Sequence, residues 1–303
     1  MCIRDRTITV KSTSSGEAIT FSGSGATTVK TANSGITFAN GVIAAGQNLT
    51  IDSTGGPVSI NSVMGSGTAT SLTVNADSTD GGDNADTTET ISIGAIGTFN
   101  EIGAVTLDAA DGITFTGDIT LADAAGADLD IDGKVFISGN VTIETDNALD
   151  SGTHEDGTIN FSSTIDGVSG GADDDLVIKA GDTDNGAGLT ITGNIGDAVP
   201  LTTLKINESA GTVALSIPQI GGGDTAGVSG QVDIGNSNSA SVTMSAATYD
   251  FGTGNVTITG NTTFSATNPS VDTLNASGDG GDFTVTGTVT ISAVSYTHLT
   301  LPT

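Results

Sequence analysis

Short apolar–polar–apolar triplets recur along this chain, most densely between Asp111 and Glu144. Five follow one another there: Ile113–Phe115, Ile119–Leu121, Leu129–Ile131, Val135–Ile137 and Val141–Ile143. In each, the first and third side chains share one face, which is the period of a β-strand. The segments between them are almost entirely Gly, Asp, Asn, Ala, Ser and Thr, residues that favour turns. The pattern predicts very short strands joined by turns, enough for two coils of a β-solenoid.

The same pattern covers residues 7–294, in most cases with Thr in the middle of the triplet. The further triplets are Ile8–Val10, Ile19–Phe21, Ile36–Phe38, Leu49–Ile51, Val58–Ile60, Leu72–Val74, Ile91–Ile93, Ile159–Phe161, Leu176–Ile178, Leu189–Ile191, Leu204–Ile206, Val213–Leu215, Val232–Ile234, Val242–Met244, Tyr249–Phe251, Val256–Ile258, Phe283–Val285 and Val289–Ile291. The acidic segment from Asp77 to Thr90 is longer than a turn, and we expect it to bulge from the fold.

A three-residue strand buries almost nothing unless identical units stack on it. We therefore predict an all-β fold, a right-handed parallel β-helix, because parallel connections are almost always right-handed. Coils of roughly 20–25 residues spaced by about 4.8 Å would give about a dozen coils and a rod on the order of 60 Å long. The alternative is a tandem of Ig-like β-sandwiches, whose strands are usually longer.

Internal repeats support stacking. A triplet followed by Thr-Gly or Ser-Gly and a further strand recurs at 113–119, 135–141, 189–195, 256–262 and 283–289, and Gly at that place predicts a sharp corner. Asn or Asp beside the glycine is expected to stack on its equivalents. Residues 113–131 also align with residues 159–178 at an offset of 46 or 47.

Both termini differ from the rest of the chain. Residues 1–6 (MCIRDR) and 295–303 (SYTHLTLPT) resemble translated adapter read-through. We therefore expect a single solenoid domain over residues 7–294, with a foreign tail on either side.

Charge narrows the range of partners. The chain has 7 basic and 35 acidic residues and a formal net charge of −28. Nucleic acids and anionic membrane surfaces are recognised through Lys and Arg, so neither is expected as a partner. No segment is apolar for long enough to insert into a membrane. Cys2 is the only cysteine, so no disulfide forms within the chain.

Two acidic segments offer weak calcium candidates and no other cofactor is predicted. Residues 170–177 resemble one degenerate copy of the calcium-binding nonapeptide of RTX toxins, with Asp173 and Asp175 as candidate ligands. Asp182 and Asp184 resemble the start of an EF-hand loop, but no Glu stands at its twelfth position. A solvated acidic turn explains each segment equally. His154, beside Glu155 and Asp156, is a further weak metal candidate.

Three carboxylates alternate along one strand: Asp128, Asp130 and Asp132 share a face. On an open face they could serve as acid and base of a glycosidase, so a carbohydrate-active β-helix enzyme is one alternative function. A calcium-dependent binding module is the other. No aromatic side chain stands nearby to stack on a sugar, so a solvated face is the simpler interpretation. We predict no catalytic residues and no enzymatic activity.

Residues 157–181, 189–206 and 254–264 resemble the repeat regions of large bacterial surface proteins, the filamentous-haemagglutinin-like and autotransporter-like adhesins. The resemblance implies a right-handed parallel β-helix and export across the outer membrane. It also implies an adhesive or spacing stalk at the cell surface, whose loops contact glycans or proteins of host or neighbouring cells. It brings no catalytic residues.

Overall fold

The structure is a computed structural model of the 303-residue chain. It describes residues 2–4, 8–10, 17–22, 25–65, 70–77, 89–97, 100–122, 124, 126–145, 157–171, 173–181, 188–207, 213–222, 227–267, 269–273 and 281–293.

Thirty strands follow one another in these ranges. The first fifteen are β1 (Cys2–Arg4), β2 (Ile8–Val10), β3 (Ile19–Ser22), β4 (Thr27–Ala32), β5 (Ile36–Phe38), β6 (Val42–Ala45), β7 (Leu49–Asp52), β8 (Val58–Met64), β9 (Leu72–Asn75), β10 (Thr90–Ile96), β11 (Val105–Asp108), β12 (Gly112–Phe115), β13 (Ile119–Thr120), β14 (Leu129–Asp132) and β15 (Val135–Ile137). The others are β16 (Asn140–Glu144), β17 (Ile159–Phe161), β18 (Ile165–Gly167), β19 (Asp175–Lys179), β20 (Leu189–Ile191), β21 (Thr203–Ile206), β22 (Leu215–Ile217), β23 (Val232–Ile234), β24 (Val242–Met244), β25 (Thr248–Phe251), β26 (Val256–Thr259), β27 (Thr262–Thr267), β28 (Ser270–Thr273), β29 (Phe283–Thr286) and β30 (Val289–Ala293).

Every pairing between these strands is parallel, and each strand pairs with one from the preceding or the following coil. The first face of the coil is an eight-stranded sheet, β1-β4-β7-β9-β11-β14-β17-β20, and β22-β24-β27-β30 continues it. The described chain thus makes eleven coils and begins a twelfth. This confirms the parallel solenoid. The sandwich alternative is wrong, because sandwiches are built from antiparallel strands.

The second and third faces form one sixteen-stranded sheet. They are joined where β8 and β10 each run across both faces; β8, for example, pairs with β5 through Val58–Ile60 and with β6 through Val63 and Met64. Higher in the stack the second face narrows to single bridges, such as that between Ile195 and Ile220. No helix in the described ranges has the length and apolarity needed to cross a membrane.

The core consists of columns that contribute one inward side chain per coil. One column on the second face runs Ile36, Val58, Ile91, Ile113, Val135, Ile165, Ile195, Ile220, Tyr249. All nine are buried, at 1% exposure or less. The alternation in the sequence therefore becomes a continuous apolar interior only when neighbouring coils are in register.

Tyr249, whose partner in the next coil is Val271, has a satisfied hydroxyl. Its Oη donates to the Ile217 carbonyl at 3.0 Å and accepts from the Ala246 N–H at 2.8 Å. Burial raises the pKa of Tyr249 to about 12, although the Ala246 N–H acts in the opposite direction.

Glycine forms the corners that the sequence predicts, by two different means. Gly260, between β26 and β27, has a φ of 122°, a backbone conformation that residues with a side chain rarely adopt. At Gly193, between β20 and Ile195, a Cβ atom would lie 2.4 Å from the carbonyl carbon of Ser163 in the coil below. The recurrent Thr-Gly motif thus marks a corner in both places.

A column of polar side chains is buried at one corner and is hydrogen-bonded between coils. Asn207 Oδ1 accepts from the Ala180 N–H at 2.7 Å, and its Nδ2 donates to the Ala180 carbonyl at 3.0 Å. Asn236 Nδ2 donates to the Asn207 carbonyl at 2.6 Å. These amides satisfy backbone groups that the turns leave without a ladder partner.

Several local predictions need correction. The triplet Val213–Leu215 is misplaced, because the strand is Leu215–Ile217. Val213, Leu215 and Ile217 are all two residues apart, so the alternation of apolar and polar residues fits either triplet. Seven strands contain none of the predicted triplets: β1, β4, β6, β11, β18, β27 and β28. In β4, two of the three inward positions are Thr, and the buried Thr31 hydroxyl donates to the Ser34 carbonyl.

The coil length and the repeat also differ from expectation. Stacked residues are separated by 20 positions between Met244 and Phe264, but by 35 between Val141 and Leu176. The offset of 46 or 47 is not the stacking repeat, because Ile113 lies on the second face and Ile159 on the first. The same motif, a triplet followed by Thr-Gly or Ser-Gly, occurs at all three corners of the coil. Sequence similarity therefore aligns a strand of one face with a strand of another.

The structure describes only parts of the predicted terminal tails and of the predicted bulge. Residues 78–88 of the expected bulge lie outside the described residues. In the N-terminal tail, Cys2–Arg4 pairs in parallel with Lys30–Ala32. The foreign origin of the tails, the single domain and the right-handed sense of the coil stay predictions.

Matched Phe variants test the inward and outward assignment. Phe161 is buried at 1% exposure on β17, whereas Phe136 lies on the outer side of β15. We expect Phe161→Ala to lower the free energy of unfolding by about 3–5 kcal/mol, because it leaves a cavity in the core. Phe136→Ala should cost clearly less. Urea denaturation measures both, and equal losses would contradict the assignment.

Candidate functional site

Polar side chains form columns on the outer face of the first sheet, because its strands pair in register. One column runs Thr28, Thr50, Thr73, Thr106, Asp130, Asn160, Thr190. A second runs Lys30, Asp52, Asn75, Asp108, Asp132. This face is the candidate site, since it gathers carboxylates that are far apart in the sequence.

The three carboxylates singled out in the sequence lie here, and each one links two coils. Asp128 Oδ1 accepts from the Thr158 N–H at 2.7 Å and from its hydroxyl at 2.9 Å. Asp130 Oδ1 accepts from Asn160 Nδ2 at 2.7 Å, and Asp132 Oδ1 accepts from the Ser162 hydroxyl at 2.8 Å. Asp130 and Asp132 are exposed on one face, as predicted.

An acidic depression of about 400 Å³ lies beside this strand, and Asp77, Asp108 and Asp132 line it together with Lys134. Burial raises the pKa of Asp108, and the negative charges of Asp77 and Asp132 raise it further. Both causes disfavour the ionised carboxylate, which is desolvated and repelled by its neighbours.

A second, shallow groove of about 350 Å³ follows the same face over the next coils. Thr106, Asp130, Asn160, Thr190 and Thr192 border it, with Ile131 and Phe161 at its base. Its rim offers hydroxyl, amide and carboxylate groups at one-coil intervals. Such a surface can hydrogen-bond an extended polar ligand along the rod axis.

The calcium candidates are only partly described. Asp173 is exposed, and Asp175 Oδ1 accepts from the Thr203 hydroxyl at 2.7 Å. Asp182, Asp184 and His154 lie outside the described residues. Within the described ranges, no group of three or more His, Cys, Asp or Glu side chains is arranged to hold a metal ion. Calcium binding stays a prediction.

Asp174, between the two candidates, has a structural position that the sequence did not indicate. It is 4% exposed, and its two oxygens accept from the Gly139 N–H at 3.1 Å and the Val168 N–H at 2.8 Å. Because both oxygens bind backbone donors, this carboxylate holds the turn at 168–171 against the coil below.

Opposite charges also stack between coils. Lys30 Nζ lies 2.6 Å from Asp52, Lys179 Nζ lies 3.2 Å from Glu144, and Lys205 Nζ lies 3.8 Å from Asp233. Exposed pairs of this kind contribute little stability individually, at most about 1 kcal/mol. Their common orientation along the axis adds to the links between successive coils.

Comparison with protein-family models, curated proteins and solved structures finds no match.

The acidic depression was not found from the sequence. Asp77, Asp108 and Asp132 are separated by 31 and 24 positions, and only the stacking register brings them together. A usable signal is the fourth position of aligned strands, where LTVN, VTLD and LDID carry Asn75, Asp108 and Asp132.

Asp108→Asn should stabilise the protein at neutral pH. A raised pKa in the folded state means that the stability from this carboxyl is present below its unfolded pKa of 3.8 and is lost as the pH rises through the folded value. Asn removes that loss, and Asn75 shows that the column accommodates it. We expect a higher melting temperature at pH 7 and no gain below pH 3.8.

Asp52→Asn is the matched control, because Asp52 occupies the same column but pairs with Lys30. It should bring no gain at pH 7. An Asp108→Asn protein that melts at or below the wild-type temperature at pH 7 would contradict the interpretation of the depression.

Proposed function

We propose that this chain is a non-catalytic stalk segment of a large exported bacterial cell-surface protein, and that its corner loops bind glycans or proteins on other cells. The observation that carries the proposal is the stack of parallel coils, whose backbone pairing runs along the rod axis on all three faces. In the described chain this pairing is weaker at two places: it is missing between β20 and β22 on the first face, and it consists of single bridges from Ile165 to Tyr249 on the second.

Side chains support a load-bearing role, because those that link coils are oriented along the axis. Carboxylates, amides and ammonium groups each bind the neighbouring coil, as Asp130 does with Asn160 and Lys179 with Glu144. A rod with links of this kind in most coils resists bending and stretching through many small contributions rather than one strong one.

The arrangement of the carboxylates favours a stalk over the alternative glycosidase. A glycosidase needs one carboxyl free to protonate the leaving group and a second to act as base or nucleophile. Asp128, Asp130 and Asp132 instead accept hydrogen bonds from the next coil. Their positions favour a structural use of the strand.

The corners are where binding is expected, because coil length varies there while the strands keep their register. The connection from β9 to β10 contains residues 77–89 of the acidic segment and is the loop that we propose for binding. The connection from β16 to β17 contains residues 146–156 and offers a loop of similar charge for comparison. Loops on a rigid scaffold are the usual place for recognition. Net negative charge makes neutral or cationic ligands the better partners.

Stretching the chain between its ends tests the stalk. The coils stack in sequence order, so tension along the axis loads the ladders between them. We expect several unfolding events in single-molecule force spectroscopy. Each should lengthen the chain by roughly 70–120 Å, the extended length of one coil of 20–35 residues. One event that releases the entire chain would contradict load-bearing by separate coils.

Loop exchange tests adhesion. Beads coated with the chain should attach to cells bearing surface glycans, and replacing residues 78–88 with a short Gly-Ser linker should abolish attachment. The same replacement of residues 146–156, also eleven residues long and acidic, is the control and should leave it largely intact. Attachment unaffected by either replacement would rule out both loops.

A further inference from the structure

The first face has a seam between β20 and β22. Below it, β17 and β20 pair residue by residue, and above it β22 pairs with β24 in the same way. Between β20 and β22 the described chain has no backbone pairing. Leu189 and Ile191, the inward residues of β20, are 8% and 7% exposed, more than any other buried hydrophobic residue in the described ranges. The two strands therefore cover each other's inward side chains less closely than paired strands do.

Pro218, the residue that follows β22, accounts for the missing pairing. In the neighbouring coils, the residue after the first-face strand donates its N–H to the coil below: Ser162 to the Ile131 carbonyl at 3.0 Å, Thr192 to Phe161 at 3.0 Å and Ser245 to Ile217 at 3.1 Å. Stacking of Ile217 on Ile191 would put Pro218 in this position, opposite the Ile191 carbonyl. Proline has no N–H to donate, and its ring occupies the place of the donor. The ladder therefore cannot close, and the ring keeps the two strands apart.

Side-chain links between coils are also missing at the seam. Two coils below it, Asp130 Oδ1 accepts from Asn160 Nδ2 at 2.7 Å on the outer side of the same face. Thr190 and Ser216 are the outward residues of β20 and β22. No side-chain hydrogen bond joins these two strands among the residues that the structure describes. The first face is thus held together across this interval only by apolar contact.

The rest of the coil is connected across the same interval. On the second face, the Ile195 N–H donates to the Gln219 carbonyl at 2.9 Å, and the Ile195 carbonyl accepts from the Gly221 N–H at 2.8 Å. On the third face, β21 pairs with β23 over three residues, and Lys205 Nζ lies 3.8 Å from Asp233. The seam is therefore an opening on one side of a stack that is continuous on the other two.

We propose that this interval is a joint, at which the rod bends by opening its first face while the second and third faces hold the two parts together. To bend in the same direction at the coil below, the rod would have to stretch ladder bonds of the first face, such as that from the Ile159 N–H to the Gly188 carbonyl at 2.8 Å. At the seam no such bonds oppose the opening, so the bend is concentrated there. The joint is a property of the rod and does not depend on the proposed role in adhesion.

Hydrogen exchange tests the seam. The Ile191 amide faces the seam, and the Phe161 amide is its equivalent one coil below. After correction for intrinsic rates, the Ile191 amide should exchange at least about tenfold faster than the Phe161 amide, because it lacks the ladder bond. Pro218→Ser supplies the missing donor and should slow exchange at Ile191 about tenfold.

Pro57→Ser is the matched control for replacing a proline. Pro57 precedes β8, and its carbonyl accepts from the Ile36 N–H at 2.9 Å. Serine keeps that carbonyl, so exchange at Ile191 and Phe161 should be unchanged. Exchange at Ile191 that is as slow as at Phe161 in the wild type, or that does not slow in Pro218→Ser, would overturn the proposal.

Spin labels measure the bending in a Cys2→Ser background. The pair Thr28→Cys and Thr190→Cys lies wholly below the seam, whereas the pair Thr106→Cys and Thr263→Cys spans it. All four threonines are on the outer side of the first face, and each pair is six coil spacings apart, or about 29 Å. We expect a narrow distance distribution for the first pair and a broader one, extended to longer distances, for the second.

Adding Pro218→Ser should narrow the distribution of the spanning pair to the width of the other pair. It should leave the pair below the seam unchanged, because all the ladders between those two labels are already closed. Equal widths of the two pairs without Pro218→Ser, or a spanning pair that stays broad with it, would overturn the joint.

Discussion

Register between coils is the constraint on which the rest of this structure depends. A strand of three residues buries two side chains on one side and leaves its backbone groups unpaired. The side chains become fully buried and the backbone groups become paired only when the next coil is in register. It then places apolar side chains on apolar side chains and carbonyl groups opposite N–H groups. The column from Ile36 to Tyr249 shows the result, since each member is buried by its neighbours above and below. Stability therefore comes from contacts between coils and not from any coil alone.

The same register determines the chemistry of the surface. Outward side chains also stack at one-coil intervals, so each is placed opposite its counterparts in the adjacent coils. Where Lys30 meets Asp52 or Asp130 meets Asn160, the contact is favourable. Where Asp108 meets Asp132, burial raises the pKa of Asp108, and the negative charges of Asp77 and Asp132 raise it further. Asn75 separates Asp52 from Asp108 in the same column, so not every coil repeats that repulsion. A net charge of −28 is compatible with this fold because the acidic groups are spread over three faces and many corners.

Local sequence predicted the strands well and the stacking poorly, for a physical reason. Alternation is decided within three residues, so triplets such as Leu129–Ile131 and Val256–Ile258 were found. Which triplet stacks on which depends on corner lengths, and these vary too much for a fixed period. The similarity between residues 113–131 and 159–178 joined different faces because each face uses the same strand and corner. The strand β4 was missed because Thr31 is buried through hydrogen bonds rather than apolarity. The acidic depression was missed because it exists only once Asp77, Asp108 and Asp132 are in register.

Because the corners vary while the strands keep their pairing, the length of the loops can change independently of the stability of the stack. An insertion at a corner, as between Val141 and Leu176, lengthens the coil without disturbing the pairing on either side. Closing a longer loop adds only about 0.6 kcal/mol for each doubling of its length. A change at an inward position affects the coils above and below as well. The strands of the shaft are therefore constrained from both sides, whereas the corners can change in length at little loss of stability.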